Sequence, residues 1–155
     1  YKHCNSDISK NYQLPVWFDE EGDWNEILSQ VRRSRTEIIE KLVDTNFTLA
    51  MFGFLPGFCY LNGLKKELHT ERKQVPSKRV AANSVALGGK YLGIYAIESP
   101  GGWNVIGKTP LQLLNLTKLP PTFLKPGDQI QVISVSKSEF DAIKREDINF
   151  ENFNK

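Results

Sequence analysis

The chain has 155 residues, of which 40% are hydrophobic and 25% charged, and its formal net charge is only +2. A chain of this length can bury roughly 70% of its extended surface around one core, so one globular domain is expected. The small net charge gives no reason to expect a nucleic acid or an anionic membrane as a partner, and no apolar run approaches the roughly 20 residues that span a bilayer.

The N-terminus carries no secretion signal, so we expect a cytoplasmic protein in which Cys4 and Cys59 stay free thiols. Residues 1–11 are predicted to be a flexible segment, the remnant of a missing N-terminal domain or linker. Residues 12–146 are predicted to form the folded domain, and residues 147–155 a polar tail that frays.

The first half of the chain predicts one strand, two helices and a second strand. Apolar residues alternate from Tyr12 to Phe18, which is typical of a half-buried strand. Asp23 and Ser34 each stand three residues before a glutamate, the spacing of a capping box, and predict helices that end near Arg33 and Asp44. A buried strand is expected over 47–54.

The second half predicts short strands separated by turns, followed by one helix. The strands are expected over 84–87, 91–97, 103–107 and 129–135, and Ser136 opens a helix through about Lys144 with a third capping box. Many short strands with a few helices are typical of a closed β-barrel with covering helices.

Two stretches rich in Gly, Pro and aromatic residues stand out, over 53–63 and 99–110. Nine of the 11 glycines fall between Gly53 and Gly107. Glycine permits positive φ and close approach of another backbone or a ligand, so the stretches predict two shaped loops on one scaffold. Tight turns of a barrel are the alternative explanation.

A basic segment lies between these stretches. Residues 65–79 contain six Lys or Arg and two Glu, a local excess of +4. Such a loop could clamp a carboxylate or phosphate, with arginine best suited to bidentate contact, or it could be an exposed loop that aids solubility. No nucleophile elbow, phosphate loop or metal-ligand spacing is present, so no metal is expected and the catalytic residues are unknown.

These motifs carry a resemblance to a known family. Residues 53–64 read GFLPGFCYLNGL, residues 84–85 read SV within a segment that begins at Leu68, and residues 99–110 read SPGGWNVIGKTP. In this pattern the chain resembles the bacterial family that contains the B-type subunit of 5-oxoprolinase, allophanate hydrolase subunit 1 and the Kip-type inhibitor of a sporulation histidine kinase. The resemblance covers most of the chain, from about Leu14 to Phe140.

The resemblance implies a mainly β fold with a few helices, a cyclophilin-like β-barrel. It also implies one subunit of an ATP-dependent amide-hydrolysing complex that acts with a paralogous C-type subunit on a small amide or lactam. ATP is then used by the complex, and no cofactor is expected to bind to this chain alone. The alternative is a non-catalytic regulatory module that binds and inhibits a sensor histidine kinase.

The two glycine-rich stretches are expected to meet in space and form the wall that faces a ligand. Backbone N–H groups at Gly101 and Gly102 would face an oxygen of the ligand, Trp103 would anchor the loop to the barrel, and Arg72 would supply charge at the rim. The candidate substrate-binding residues are Pro56, Gly57, Phe58, Tyr60, Arg72, Tyr91, Ser99, Pro100, Gly101, Gly102, Trp103, Lys108 and Thr109.

The chain also departs from the family pattern at polar positions. Ser77 replaces an Arg, and Tyr91 and Leu92 replace Gln-Thr. Lys108 replaces an Arg and loses the guanidinium fork, and Asn83 stands where the family has Gly. If the replaced residues face the site, they predict an altered substrate or a lost activity.

Overall fold

The computed structural model describes residues 8–146 together with residues 153 and 154. In these ranges the chain forms nine strands, three α-helices and one short 3₁₀ turn, Lys66–Leu68. The strands are β1 (Asn11–Val16), β2 (Asn46–Phe52), β3 (Cys59–Asn62), β4 (Ser77–Val80), β5 (Ser84–Gly88), β6 (Tyr91–Tyr95), β7 (Ser99–Gly101), β8 (Asn104–Lys108) and β9 (Gln129–Ser134). The helices are α1 (Trp24–Gln30), α2 (Arg35–Val43) and α3 (Lys137–Arg145).

Seven strands form one curled sheet in the order β1-β9-β2-β3-β6-β5-β8. Its two outermost strands meet, because Trp17, just after β1, exchanges two backbone hydrogen bonds of 2.9 Å with Lys108 at the end of β8. The sheet therefore curls into a barrel, and the expectation of a mainly β barrel with a few helices is confirmed. Strands β4 and β7 pair with each other in a separate two-stranded sheet.

Two of the three predicted helix caps form. The hydroxyls of Ser34 and Ser136 accept hydrogen bonds from the backbone N–H of Glu37 and Glu139, both 3.1 Å long. Helix α1 starts after Asp23 as predicted but ends at Gln30, short of Arg33, and the Asp23 side chain makes no cap. The expected capping box at Asp23 is wrong because its carboxylate binds groups outside the helix instead.

Alternation along the central strands gives the sheet two different faces. In β6, Leu92 and Ile94 lie in the main core with the buried faces of α1 and α2, whereas Tyr91 and Tyr95 lie in a second cluster on the opposite face. Such alternation follows from the two-residue period of a strand. Leu92, one of the departures from the family pattern, therefore has its side chain fully buried in the main core.

Three strands are not expected from the sequence. Strands β3, β4 and β7 lie inside the glycine-rich and basic stretches that the sequence predicts to be loops. They are three or four residues long, too short to show a clear alternation.

Part of the predicted tail is packed against the barrel. Phe153 contacts the main core, and the side-chain amide of Asn154 pairs with the backbone of Gln13 in β1. Residues 1–7, with Cys4, and the rest of the tail lie outside the described residues.

No described helix is long and apolar enough to cross a membrane.

Candidate functional site

An aromatic cluster joins the two glycine-rich stretches. Phe58 lies at its centre, with ring centroids 4.9 Å from Tyr60 and from Tyr95 and 5.3 Å from Trp103. Most of these contacts are edge-to-face, the arrangement that aromatic quadrupoles favour. The two stretches thus lie in contact, as expected, and they do so through packed rings.

Three glycines make room for this cluster. A Cβ at Gly88 would lie 2.2 Å from Trp103 Cδ2, and one at Gly93 would lie 2.5 Å from Trp103 Cζ3. At Gly101 in β7, a Cβ would lie 2.2 Å from the Tyr95 hydroxyl. These distances are impossible for real atoms, so the missing side chains let the rings lie directly on the backbone. Trp103 therefore anchors its loop to the barrel, as expected from the sequence.

The small sheet of β4 and β7 covers this cluster. Val80 of β4 belongs to the cluster, and Gly101 is buried against Tyr95. Burial raises the pKa of Tyr95, and a hydrogen bond with the Trp103 backbone partly offsets that shift. Tyr95 is neutral here at physiological pH, so the cluster is an apolar support.

An open cleft of about 270 Å³ lies beside the covered cluster. One wall is the acidic loop 19–23, another is β4, and the floor is formed by the ends of β5 and β8. Its lining includes Asp19, Glu21, Asp23, Ser77, Arg79, Ser84 and Lys108.

Asp23 ties the walls of the cleft together. Its carboxylate accepts a hydrogen bond from Val105 N–H of β8 at 2.8 Å and pairs with Lys73 Nζ at 3.2 Å. Lys73 also donates to Ser77 of β4. Because the Lys73 side chain is only 12% exposed, this pair is shielded from solvent more than an ordinary surface pair. The acidic loop at 19–23 is therefore held to β8 through Asp23.

Lys108 and Ser84 lie side by side on the cleft floor. They are directly opposed residues of the antiparallel strands β5 and β8, so their side chains lie on the same face. Ser84 is only 2% exposed. Among the residues that the structure describes, no carboxylate lies within 4.0 Å of the Lys108 ammonium, and Ser84 Oγ makes no hydrogen bond.

Several other charges of this region are paired. Arg79 forms an ion pair of 2.8 Å with Glu98, and Lys65 lies 3.6 Å from Asp44. Glu67 contacts Lys41 and Arg33, and its hydrogen bond with Lys41 is the main cause of its lowered pKa. The basic segment is therefore partly neutralised within the fold.

The candidate substrate-binding residues divide into several places. Phe58, Tyr60, Tyr91, Gly101 and Trp103 belong to the aromatic cluster or its edge, and Arg72 lies with its guanidinium carbon 5.9 Å from the Trp103 ring centre. Lys108 is the one predicted residue that lines the cleft.

The remaining predicted residues serve turns and strand pairing. Gly57 has a φ of 76° and packs near Ala96 and Leu114, and Pro56 lies beside it in the same turn. Ser99 and Pro100 belong to β7, and the Gly102 carbonyl accepts a backbone hydrogen bond from Lys73. Thr109 is buried, and its hydroxyl accepts from Leu111 N–H.

Sequence reasoning did not assign Asp23, Lys73 or Ser84 to a site: Lys73 stands out only as part of the basic segment, and Ser84 only as part of a motif. Ser77 is a departure from the family pattern that the sequence analysis considered as a residue facing the site, and it lines the cleft. The grouping of these residues depends on pairing between strands that are distant in sequence, so no local spacing shows it. Among the described residues, no group of three His, Cys, Asp or Glu side chains could hold a metal ion.

Comparison with known proteins decides the family. The profile described as "Carboxyltransferase domain, subdomain C and D" matches residues 2–124. The chain belongs to this family.

Individual members of the carboxyltransferase subdomain C and D family support the assignment. The chain is 35% identical over 136 residues to the B-type subunit of 5-oxoprolinase from Bacillus subtilis (strain 168), and the match covers 86% of this chain and 57% of that protein. It is 36% identical over 128 residues to the same protein of Haemophilus influenzae, with 80% of this chain and 59% of that protein covered. The chain thus spans less than two thirds of these relatives, and its resemblance to their family is confirmed.

Solved structures show the same fold. A conserved uncharacterized protein from Pyrococcus horikoshii superposes with a TM-score of 0.79 at 37% identity, covering 84% of this chain and 62% of that chain. The urea amidolyase of K. lactis superposes with a TM-score of 0.72 at 20% identity, covering 90% of this chain and 10% of that chain. At that lower identity the likeness concerns the fold.

Proposed function

We propose that this chain is the subdomain C and D part of a B-type subunit in an ATP-dependent amide-hydrolysing complex of the 5-oxoprolinase or allophanate hydrolase type. The observation that carries the proposal is its identity of 33% to 36% with three relatives named as this subunit of 5-oxoprolinase. The matches extend over 80% to 86% of the chain, so they include both glycine-rich stretches.

The cleft supports a role in such chemistry. It groups two hydroxyls, two ammonium or guanidinium groups and three carboxylates, of which Ser84 and Lys108 stand on the floor of paired strands. A binding site on strands holds its side chains more precisely than one on loops. A small amide or lactam is the substrate class that we propose for it.

The same cleft supports the need for a partner. Its lining has no histidine, and its carboxylate Asp23 is already engaged by Lys73 and Val105. A nucleophile with a free base and an oxyanion hole is not assembled among these residues. We therefore propose that a paralogous C-type subunit supplies the missing groups, that the complex uses ATP, and that this chain alone binds no cofactor.

A second candidate function is a non-catalytic module that binds and inhibits a sensor histidine kinase. The observation in its favour is Phe54, which is 63% exposed and has a φ of 64°. A bulky side chain held outward in this conformation is costly, and such strain concentrates at functional surfaces. An exposed aromatic residue suits docking to another protein.

Reconstitution distinguishes the two functions. The protein is mixed with the paralogous C-type subunit from the same genome and the third component, and glutamate release from 5-oxoproline is measured with and without ATP. We expect co-elution as a hetero-oligomer and turnover only with both partner and ATP. Separate elution at micromolar concentration, together with inhibition of a histidine kinase's autophosphorylation, would establish the second function instead.

A further inference from the structure

We propose that Lys108 and Ser84 bind the carboxylate of a small molecule that carries an N–H group at its other end. This inference rests on the proposed function in naming a substrate class for the same cleft. The choice of Lys108 and Ser84 as the binding residues rests on the residues that line the cleft and not on the proposed function.

Two donors without acceptors stand together on the cleft floor. Lys108 and Ser84 are opposed across β5 and β8, so their Cβ atoms are about 5 Å apart. Both side chains line the cleft. Within the described part of the chain neither finds an acceptor, although Ser84 is almost fully buried.

A buried hydroxyl without a partner costs free energy, so it is normally matched by protein, water or ligand. An ammonium beside it makes an anionic oxygen the best match, because hydrogen bonds between charged groups are shorter and stronger than neutral ones. A carboxylate has two oxygens, one for each donor. The pair is therefore suited to one carboxylate.

The acidic loop selects what the rest of the ligand carries. Asp19 and Glu21 also line the cleft, and neither forms a salt bridge within the described residues. Asp23 is neutralised by Lys73, and Arg79 by Glu98. A simple anion would meet repulsion from Asp19 and Glu21, whereas a ligand with an N–H or ammonium group at its far end would be attracted.

The backbone around the two donors is held firmly. Lys108 is fixed on both sides, by Ser84 in β5 and by the two hydrogen bonds that close the barrel at Trp17. Asp23 fixes β8 from the other wall through Val105. Donors held in this way lose little freedom on binding, which favours affinity for a small ligand.

The experiment is an NMR titration of the ¹⁵N-labelled chain with 5-oxoproline. A matched probe, 2-pyrrolidinone, has the same lactam N–H and no carboxylate. We expect 5-oxoproline to shift the amide signals of Ser84, Gly107 and Lys108, and 2-pyrrolidinone to shift them weakly. Lys108→Met is expected to weaken binding about tenfold or more, and Lys108→Arg to restore most of it, because the positive charge is what binds.

Ser84→Ala should weaken binding several-fold, and Lys78→Met, an exposed lysine of β4 outside the cleft lining, should not change it. The dispersion of the amide signals verifies that each variant is folded. Equal shifts with both probes, or unchanged affinity in Lys108→Met, would overturn the proposal.

A second measurement separates this inference from the proposed function. In the reconstituted complex, Lys108→Met should raise KM for 5-oxoproline. If the complex turns over and KM is unchanged, the site is wrong and the function stands. If the wild-type complex is inactive but the chain binds 5-oxoproline with Lys108-dependent shifts, the site stands and the function is wrong. The absence of shifts at tens of millimolar ligand, in both the chain and the complex, also refutes the site.

Discussion

Gly101 and Gly102 are neighbours that should respond very differently to the same substitution. A Cβ at Gly101 would lie 2.2 Å from the Tyr95 hydroxyl, where an ordinary contact begins at 3.4 Å, so the overlap is about 1.2 Å. At Gly102 the nearest atom is 3.8 Å away and φ is not in the left-handed region. The pair therefore isolates packing from the general effect of replacing a glycine.

The cost of Gly101→Ala follows from what has to move. Tyr95 cannot retreat easily, because its ring packs 4.9 Å from Phe58 and its backbone belongs to β6. Overpacking of this kind costs typically about 1–3 kcal/mol. The reduced freedom of the unfolded chain returns about 0.4–1 kcal/mol. We expect a net loss of about 1–2 kcal/mol in the free energy of unfolding.

Urea unfolding followed by far-UV circular dichroism measures this loss directly, and near-UV circular dichroism reports on the aromatic cluster. Gly101→Ala should lower the melting temperature by about 2–8 °C for a domain of this size, and Gly102→Ala should stay within about 0.5 kcal/mol of the wild type. Equal losses in the two variants, or no loss in Gly101→Ala, would show that β7 does not pack on Tyr95 as described.

Three further predictions concern the cleft, the buried thiol and the family departures. Asp23→Ala should cost about 2–4 kcal/mol of unfolding free energy in urea, because Lys73 and the Val105 N–H both lose their acceptor. The control Asp44→Ala, at an exposed aspartate, should cost about 0–1 kcal/mol. Similar losses in the two variants would contradict the role of Asp23. Burial raises the pKa of Cys59 to about 12 from its ordinary value of 9.0, so the contribution of the buried thiol to stability is complete below pH 9 and is lost as pH rises toward 12. Cys59→Ala should flatten that alkaline fall in unfolding free energy, and an unchanged pH profile would count against the burial. Ser77→Arg, assayed in the reconstituted complex, should change 5-oxoproline turnover at least tenfold in either direction, because Ser77 lines the cleft and accepts a hydrogen bond from Lys73. The control is the surface substitution Lys78→Arg. Equal turnover rates of Ser77→Arg and the wild type would place Ser77 outside the site.

The helix starts and the barrel class could be predicted from the sequence because they depend on nearby residues. The serines at positions 34 and 136 cap their helices three residues ahead, and alternation over 12–18 marks the first strand. Asn83 stands where the family has a glycine, and its backbone has a φ of 67°. Asn tolerates this left-handed conformation better than most residues, so this position too depends on the local sequence. The motifs of the two glycine-rich stretches indicate the family without any knowledge of the fold.

The roles of individual side chains were decided by the tertiary structure. Asp23 has the spacing of a helix cap, yet its carboxylate binds Val105 and Lys73, because a partly shielded ammonium and a strand N–H attract it more than the helix end does. Gly101 has the composition of a ligand loop, yet it is buried under Tyr95. Ser84 and Lys108 are distant in sequence and become neighbours only when β5 pairs with β8. Local sequence sets which conformations each segment can adopt, whereas pairing between strands that are distant in sequence sets which side chains become neighbours. The cleft is formed by side chains that become neighbours in this way.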